Sequence, residues 1–316
     1  VARITIVTPA GAGTRNGNRH TALRWAAMLR AAGHRVAVMV AWDGKPCDAL
    51  LALHALRSHD SISQYRALHN ESPLVVTLTG TDLYRDLPAS AEARRSLELA
   101  DRLIVLQDAA LRVLDPVMRR KARVVYQSSD SRLRHAPPAT GFRIAVVGHL
   151  RSEKDPLRTA VALSHLQDSH IQIVQIGGAL DPALGEEAKR WMEREPRYRW
   201  LGSLPHGRTL GWIARSHVLV VSSVMEGGAN VIAEAVRIGT PVLASRVSGN
   251  VGMLGARYPG YYPLHDDQAL ARLIARAADD ERFYGRLKRS LQDRRKLFAP
   301  SAERSALARV LREVLS

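Results

Sequence analysis

"VLVVSSVMEGGANVIAEAV" (Val218–Val236) decides the fold. A four-residue run of Val and Leu reads as a strand buried on both faces, as in a parallel sheet. A short polar loop with Gly227 and Gly228 follows, and then Ile232, Ala233, Ala235 and Val236 recur at helical spacing. This is one strand–loop–helix unit. Its glycines would leave the first N–H groups of the helix open to a ligand, at the positive end of the helix dipole. Glu226 stands at the threshold and Glu234 about two turns in, with seven residues between them. Carboxylates at an anion-binding helix start make sense as hydrogen-bond acceptors for hydroxyls, as on a sugar or a ribose. The plainer reading, one capping acid and one surface acid, stays open at this point.

The same rhythm runs outward in both directions. Before it come "RITIVTP" (Arg3–Pro9), the amphipathic "NRHTALRWAAMLRAAGH" (Asn18–His34) with Gly33 as its stop, "RVAVMVAW", "DALLALH", "SISQYRALHN", "PLVVTLTG", "PASAEARRSLELA", "DRLIVLQ", "AALRVLDPVMRR" and "ARVVYQS". They read as alternating strands and helices. "SDSRLRHAPPATG" (Ser129–Gly141), polar and with paired prolines, reads as a linker. The alternation restarts at "RIAVVG", and from Asp267 onward the chain reads as nearly all helix. The expectation is α/β: two doubly wound Rossmann-like domains facing a central cleft, with ligands beyond the carboxyl ends of the strands. The boundaries read as 1–135, 136–298 and a C-terminal helix, 299–316, that packs back on the N-terminal domain.

Bulk composition narrows the function. The 316 residues carry 46 basic and 30 acidic groups, a net charge of +16. The excess is split evenly, 20 against 12 up to residue 141 and 26 against 18 after it, with no basic tail and no zinc or RNA-recognition motif. That distribution argues against nucleic acid and fits small anionic substrates. No apolar run suits a membrane span, and the start reads as a strand entering a glycine loop rather than a signal peptide. The lone Cys47 cannot form an internal disulfide and fits a reducing, cytoplasmic setting.

Three further loops could carry chemistry. "TPAGAGTRNGNRH" holds Gly11, Gly13 and Gly17 at a spacing unlike G-x-G-x-x-G, followed by Asn18 and His20. "VVGHLRSEKDP" (Val146–Pro156) brings His149, Arg151 and Lys154 to the end of a strand. Only six residues of the chain are Lys, and one placed here would act as a point charge on a phosphate. "TLTGTDLY" (Thr77–Tyr84) sets Thr79, Thr81 and Asp82 at another strand end, and "LHALRSHDS" supplies His54 and His59; any of these could orient an acceptor or act as a base. There is no D-x-D, no H-E-x-x-H and no G-x-S-x-G. No metal and no other cofactor is therefore expected.

Together these loops resemble the GT-B glycosyltransferases that carry a Glu-x7-Glu signature. "GHLRSEKD" is similar to their G-R-L-x-x-E-K-G, and "EGGANVIAEAVRIGTPVLAS" to their E-G-x-x-x-x-x-x-E-A-x-x-x-G-x-P-V-x-A-S. By that resemblance Lys154 and Glu226 are catalytic. Lys154 stabilises a leaving UDP diphosphate and Glu226 holds hydroxyls of the donor sugar. Glu234 takes the ribose hydroxyls, and the N–H groups of Gly228, Ala229 and Asn230 meet the diphosphate or sugar, with Gly227 in the same loop. Gly17 and Asn18 match the N-terminal glycine loop of the family in part. His149 stands where the wider family has Arg, which leaves the second positive charge to His149 or Arg151. "GNVGML" (Gly249–Leu254) departs from the family's Gly-Gly-x-x-Glu. His20, His54, Thr79, Thr81 and Asp82 fall on the acceptor side.

Within the family, "LTGTDLYRDL", "IGGALDPALG", "RYRWLGSLPH" and "SRVSGNVGMLGARYPGYYP" look like the selenosugar synthases of selenoneine biosynthesis. That narrower resemblance implies transfer from a UDP-sugar, such as UDP-N-acetylglucosamine, to selenophosphate, and handover to downstream selenoneine-forming enzymes. An ordinary transferase acting on a hydroxyl of a lipid or glycan is the alternative. Small-molecule substrates are the expected partners, without nucleic acid or stable membrane insertion.

Overall fold

A computed structural model describes residues 1–11, 17–168 and 170–315. The chain divides into two compact units: residues 1–128 with 226–228 and 300–316, and residues 129–225 with 229–299.

The first unit is a six-stranded, all-parallel sheet. Its strands are β1 (Arg3–Val7), β2 (Arg35–Met39), β3 (Ala49–Leu53), β4 (Leu74–Leu78), β5 (Arg102–Val105) and β6 (Ala122–Val124), in the order β2-β1-β3-β4-β5-β6. β3 and β4 are buried throughout, whereas edge strand β2 is half-exposed. Alternate residues of each central strand serve opposite cores, as the two-residue strand period requires. Leu50, Ala52, Val76 and Leu103 pack with Trp42, Ile62, Tyr65 and Leu97. Leu51, Leu53, Val75 and Ile104 pack with Trp25 and Leu29 of the helix Gly17–Ala31 and with Leu307 and Leu311 of the helix Pro300–Leu315. The first helix ends at Ala31, and Gly33 (φ +91°) turns the chain in the left-handed region.

The segment read as one helix, "AALRVLDPVMRR", is two pieces: a 3-10 turn, Asp108–Arg112, and a helix, Pro116–Lys121. The cause is local. Asp115 caps the second piece by accepting from the N–H groups of Val117 and Met118, and Pro116 sits at its first position, where its missing N–H costs nothing.

The second unit is also all-parallel. Its strands are β7 (Phe142–Val147), β8 (Ile171–Ile176), β9 (Tyr198–Trp200), β10 (Val218–Val221), β11 (Val242–Ser245) and β12 (Tyr261–Tyr262), in the order β12-β11-β10-β7-β8-β9. Counted within the unit this is 3-2-1-4-5-6 read from the other edge, the dinucleotide-fold order, and its direction of winding reverses between β7 and β10. The segment 129–141 has neither helix nor strand, and it is tied to this unit by His135 N–H on Ile238 O (3.1 Å), Ala136 N–H on Ala214 O (2.8 Å) and His135 Nε2 on Ser216 O (2.9 Å).

Candidate functional site

The reversal between β7 and β10 places the loops that follow these two strands side by side, the position where open α/β sheets take ligands. The loops are stitched together. Val224 N–H donates to Glu153 O (2.9 Å), and Ser222 Oγ lies 3.0 Å from Lys154 O and 2.7 Å from Asp155 O, sharing its one hydrogen between them. Behind them Ser245 Oγ donates to Ser223 O (2.6 Å), and the buried Asn250 donates through Nδ2 to Ser245 O (3.0 Å). Asn250 belongs to the helix Ser248–Leu254, so the "GNVGML" segment braces the β10 loop.

Lys154 closes a 3-10 turn, Ser152–Lys154, and is half-buried. Asp155 then adopts φ +41°, a left-handed conformation uncommon for a residue other than glycine, and Asp tolerates it. Its carboxylate accepts from Arg158 Nε (2.9 Å) and meets His265 Nδ1 (3.2 Å), while Arg158 also reaches Asp267 (3.0 Å). These ion pairs fix the residue after the lysine, and a Cβ on Gly148 would lie 3.7 Å from Lys154 Cδ, so the lysine stem lies over that glycine. Arg151 is exposed, and His149 is half-buried at the end of β7.

The helix Asn230–Ile238 buries Ile232, Ala233, Ala235, Val236 and Ile238 and ends at Gly239 (φ +98°). Its N-cap residue, Ala229, has no side chain that could accept from the first turn. Glu234, in the second turn, pairs through Oε1 with Nε2 of the exposed His206 (2.8 Å). No sequence signal marked His206, since it is brought to Glu234 by the packing of the helix His206–Ala214.

Glu226, Gly227 and Gly228 belong to the first unit, and Glu226 is buried. Gly227 crosses the backbone at Thr79–Gly80 so closely that a Cβ on it would lie 2.2 Å from Thr79 O. A Cβ on Gly80 (φ +134°) would lie 2.8 Å from Gly227 N, and one on Gly228 2.6 Å from Leu106 Cβ. Close packing alone thus demands both glycines of the E-G-G sequence.

At the carboxyl ends of β3 and β4, Asp82 is fully buried. Its Oδ1 accepts from the N–H groups of Thr79 (2.8 Å), Gly80 (2.8 Å) and Leu83 (3.1 Å), and its Oδ2 from Ala55 (3.0 Å). His54 is also buried, in the left-handed region at φ +76°. Its Nδ1 accepts from Arg57 N–H (3.2 Å), which puts the ring proton on Nε2, facing Thr81 Oγ (3.0 Å) and Asp86 Oδ2 (3.7 Å). Burial holds its pKa below the ordinary histidine value against the opposing pull of Asp82. Thr79 and Thr81 are half-buried, and His59 is bound to Ser96. Gly17 and Asn18 open the first helix, with Gly17 O accepting from Thr21 Oγ (2.8 Å); His20, in the same turn, is exposed, and Gly13 lies outside the described residues. Among the described residues no cluster of three or more His, Cys, Asp or Glu could hold a metal ion, and no helix is long and apolar enough to cross a membrane.

Two parallel sheets flanked by helices, one of them with stitched loops at its reversal point, define a GT-B fold of the glycosyltransferase type. The model of the family Glycosyl transferases group 1 matches residues 128–294, more than half of the chain, and the chain belongs to that family. Glycosyltransferase 1 domain-containing protein 1 of Xenopus tropicalis is 25% identical over 268 residues, covering 75% of this chain and 77% of that protein. Among solved structures, HepE of Anabaena in complex with UDP and glucose superposes with a TM-score of 0.79 at 16% identity, covering 99% of this chain and 100% of that one. Sucrose-phosphate synthase of Thermosynechococcus elongatus gives a TM-score of 0.79 at 17% identity, covering 99% of each chain.

Proposed function

We propose that this glycosyltransferase moves a sugar from a UDP-sugar, such as UDP-N-acetylglucosamine, to selenophosphate, making the C–Se bond of a 1-selenosugar. A selenium lone pair attacks the anomeric carbon, the bond from that carbon to the diphosphate oxygen breaks, and its electron pair leaves with UDP; the first product keeps its Se–P bond, and water must cleave that bond to give phosphate and the free 1-selenosugar. Lys154 meets the charge that grows on the diphosphate, where preorganised cations and amides act most strongly on rate. The start of the helix Asn230–Ile238, whose N-cap residue Ala229 has no acceptor side chain, does the same with its N–H groups and dipole. Glu226 holds donor-sugar hydroxyls and Glu234 the ribose. A UDP-sugar donor is supported by HepE, solved with UDP-glucose.

The observation that carries the acceptor reading is that the acid–base groups at the ends of β3 and β4 are already engaged. Both oxygens of Asp82 accept backbone N–H groups, and both nitrogens of His54 are occupied. A sugar hydroxyl needs a base to take its proton, whereas selenophosphate arrives as an anion with a polarizable nucleophile. The test is UDP release with selenophosphate and with hydroxyl acceptors, together with the mass of the product. Selenium-dependent turnover with a C–Se product is expected. Turnover on hydroxyl acceptors that needs no selenium would replace this reading with an ordinary glycosyl transfer.

A further inference from the structure

The glycine pair Gly177–Gly178, at the end of β8, has no place in the roles assigned so far. Gly177 (φ +148°) crosses the end of β7 so closely that a Cβ on it would lie 1.9 Å from Gly148 O and 2.8 Å from His149 N. No other residue type fits there without moving one of the two strand ends. The crossing delivers the next amide onto a histidine: Gly178 N–H donates to His149 Nδ1 at 3.1 Å, and Gly178 O in turn accepts from Leu150 N–H at 2.9 Å. The ring is therefore held from the residue on its far side as well.

An imidazole nitrogen that accepts a hydrogen bond carries no proton, so the proton of this ring sits on Nε2. A doubly protonated ring would set Nδ1–H against Gly178 N–H and break the contact. We propose that Gly177–Gly178 is a tautomer lock that makes His149 a neutral Nε2–H donor to a phosphate oxygen of the nucleotide donor, leaving positive charge in this loop to Lys154 and Arg151. The inference rests on the donor-site reading above. His149 supplies direction rather than charge, and Gly178 is the positioning residue behind it. The same arrangement recurs at His54, whose Nδ1 accepts from Arg57 N–H, and at the starts of β2 and β10, where His34 and His217 accept at Nδ1 from Ala2 N–H and Arg143 N–H; His149 and His54 are the two of these at carboxyl ends of strands.

The experiment is nitrogen NMR of the full chain labelled at histidine, with and without UDP, alongside UDP titration of three variants. In the free protein, Nδ1 of His149 should resonate as an unprotonated nitrogen and Nε2 as a protonated one. UDP should shift Nε2 and leave Nδ1 unprotonated. His149→Gln, which can offer an N–H near the Nε2 position, should bind UDP within about threefold of the native protein. His149→Phe should lose about tenfold or more, the loss expected for a hydrogen bond to a charged group, and His149→Asn should fall with it. A protonated Nδ1, or His149→Phe binding UDP as tightly as the native chain, overturns the lock and the donor role. Failure of the native protein to bind UDP overturns the donor-site reading itself, a separate outcome because the tautomer is read without ligand.

Discussion

Glu303 offers the sharpest quantitative test of how the first unit is held. It lies in the helix Pro300–Leu315 and is buried to 1% exposure. Oε1 accepts from Trp25 Nε1 at 2.7 Å and Oε2 from Ser128 N at 2.8 Å and Ser128 Oγ at 2.5 Å, with Arg24 Nε 3.0 Å from Oε2. Four donors thus converge on one carboxylate. Replacing Glu303 with Ala strands the indole N–H of Trp25, itself fully buried, and the buried amide of Ser128. Each stranded donor costs about 1–3 kcal/mol, and loss of one partner from a buried charged pair costs about 3–5 kcal/mol in all. With a urea dependence of about 2 kcal/mol per M, the midpoint should fall by about 2 M. Glu303→Gln cannot rescue it, because its NH2 must face one pair of donors; about half of the loss should remain. The assay is hydrogen exchange across a urea series, read peptide by peptide. The loss should fall on peptides of residues 1–128 and spare those of 142–225 and 229–299. An unchanged midpoint, or equal loss in both sets, would refute the reasoning.

Lys154→Ala should lower turnover about 100- to 1000-fold, the cost of one lost electrostatic contact to a leaving group, while the urea midpoint stays near native; steady-state UDP release checks the first half and a urea unfolding curve the second. Glu234→Ala should weaken UDP binding, and titration calorimetry giving an unchanged affinity would remove the ribose role. His135 is depressed to about 4 by burial, against the opposing bond to Ser216 O. A folded value below the unfolded one means stability is full above about pH 6.5 and declines as the pH falls toward the folded value; urea midpoints at pH 7 and pH 5 should show that decline, and His135→Phe should make it shallower, the remainder coming from groups such as His54 that burial also depresses. EDTA should leave UDP release unchanged, and a strict metal requirement would contradict the reading of the missing D-x-D.

The alternation of strand and helix was legible because parallel strands buried on both faces are written as runs dominated by Val, Ile and Leu, unbroken in β10 and interrupted only by Thr77 in β4. The loops at the strand ends were legible too, since Gly, Lys and paired carboxylates stand out against them. What escaped was made by distance in sequence. The reason for Gly227 is the backbone at Thr79–Gly80, nearly 150 residues away, and the partner of Trp25 is Glu303. The break inside "AALRVLDPVMRR" was written in its own Asp-Pro pair and was overridden by the helical spacing of Leu111, Leu114 and Met118. Sequence spacing supplied roles for His54 and Asp82 but not their engagement, which depends on amides from several turns meeting at one point.

The first unit is closed by residues from the far end of the chain. On the ribosome its sheet would emerge with the Trp25 indole and the Ser128 amide lacking their acceptor, and the second unit would be made in full before Glu303 arrived. The half of the protein that is synthesised first is therefore the half that matures last. A nascent chain halted at residue 299 should expose that unfinished face to chaperones, and emergence of residues 300–316 should release it.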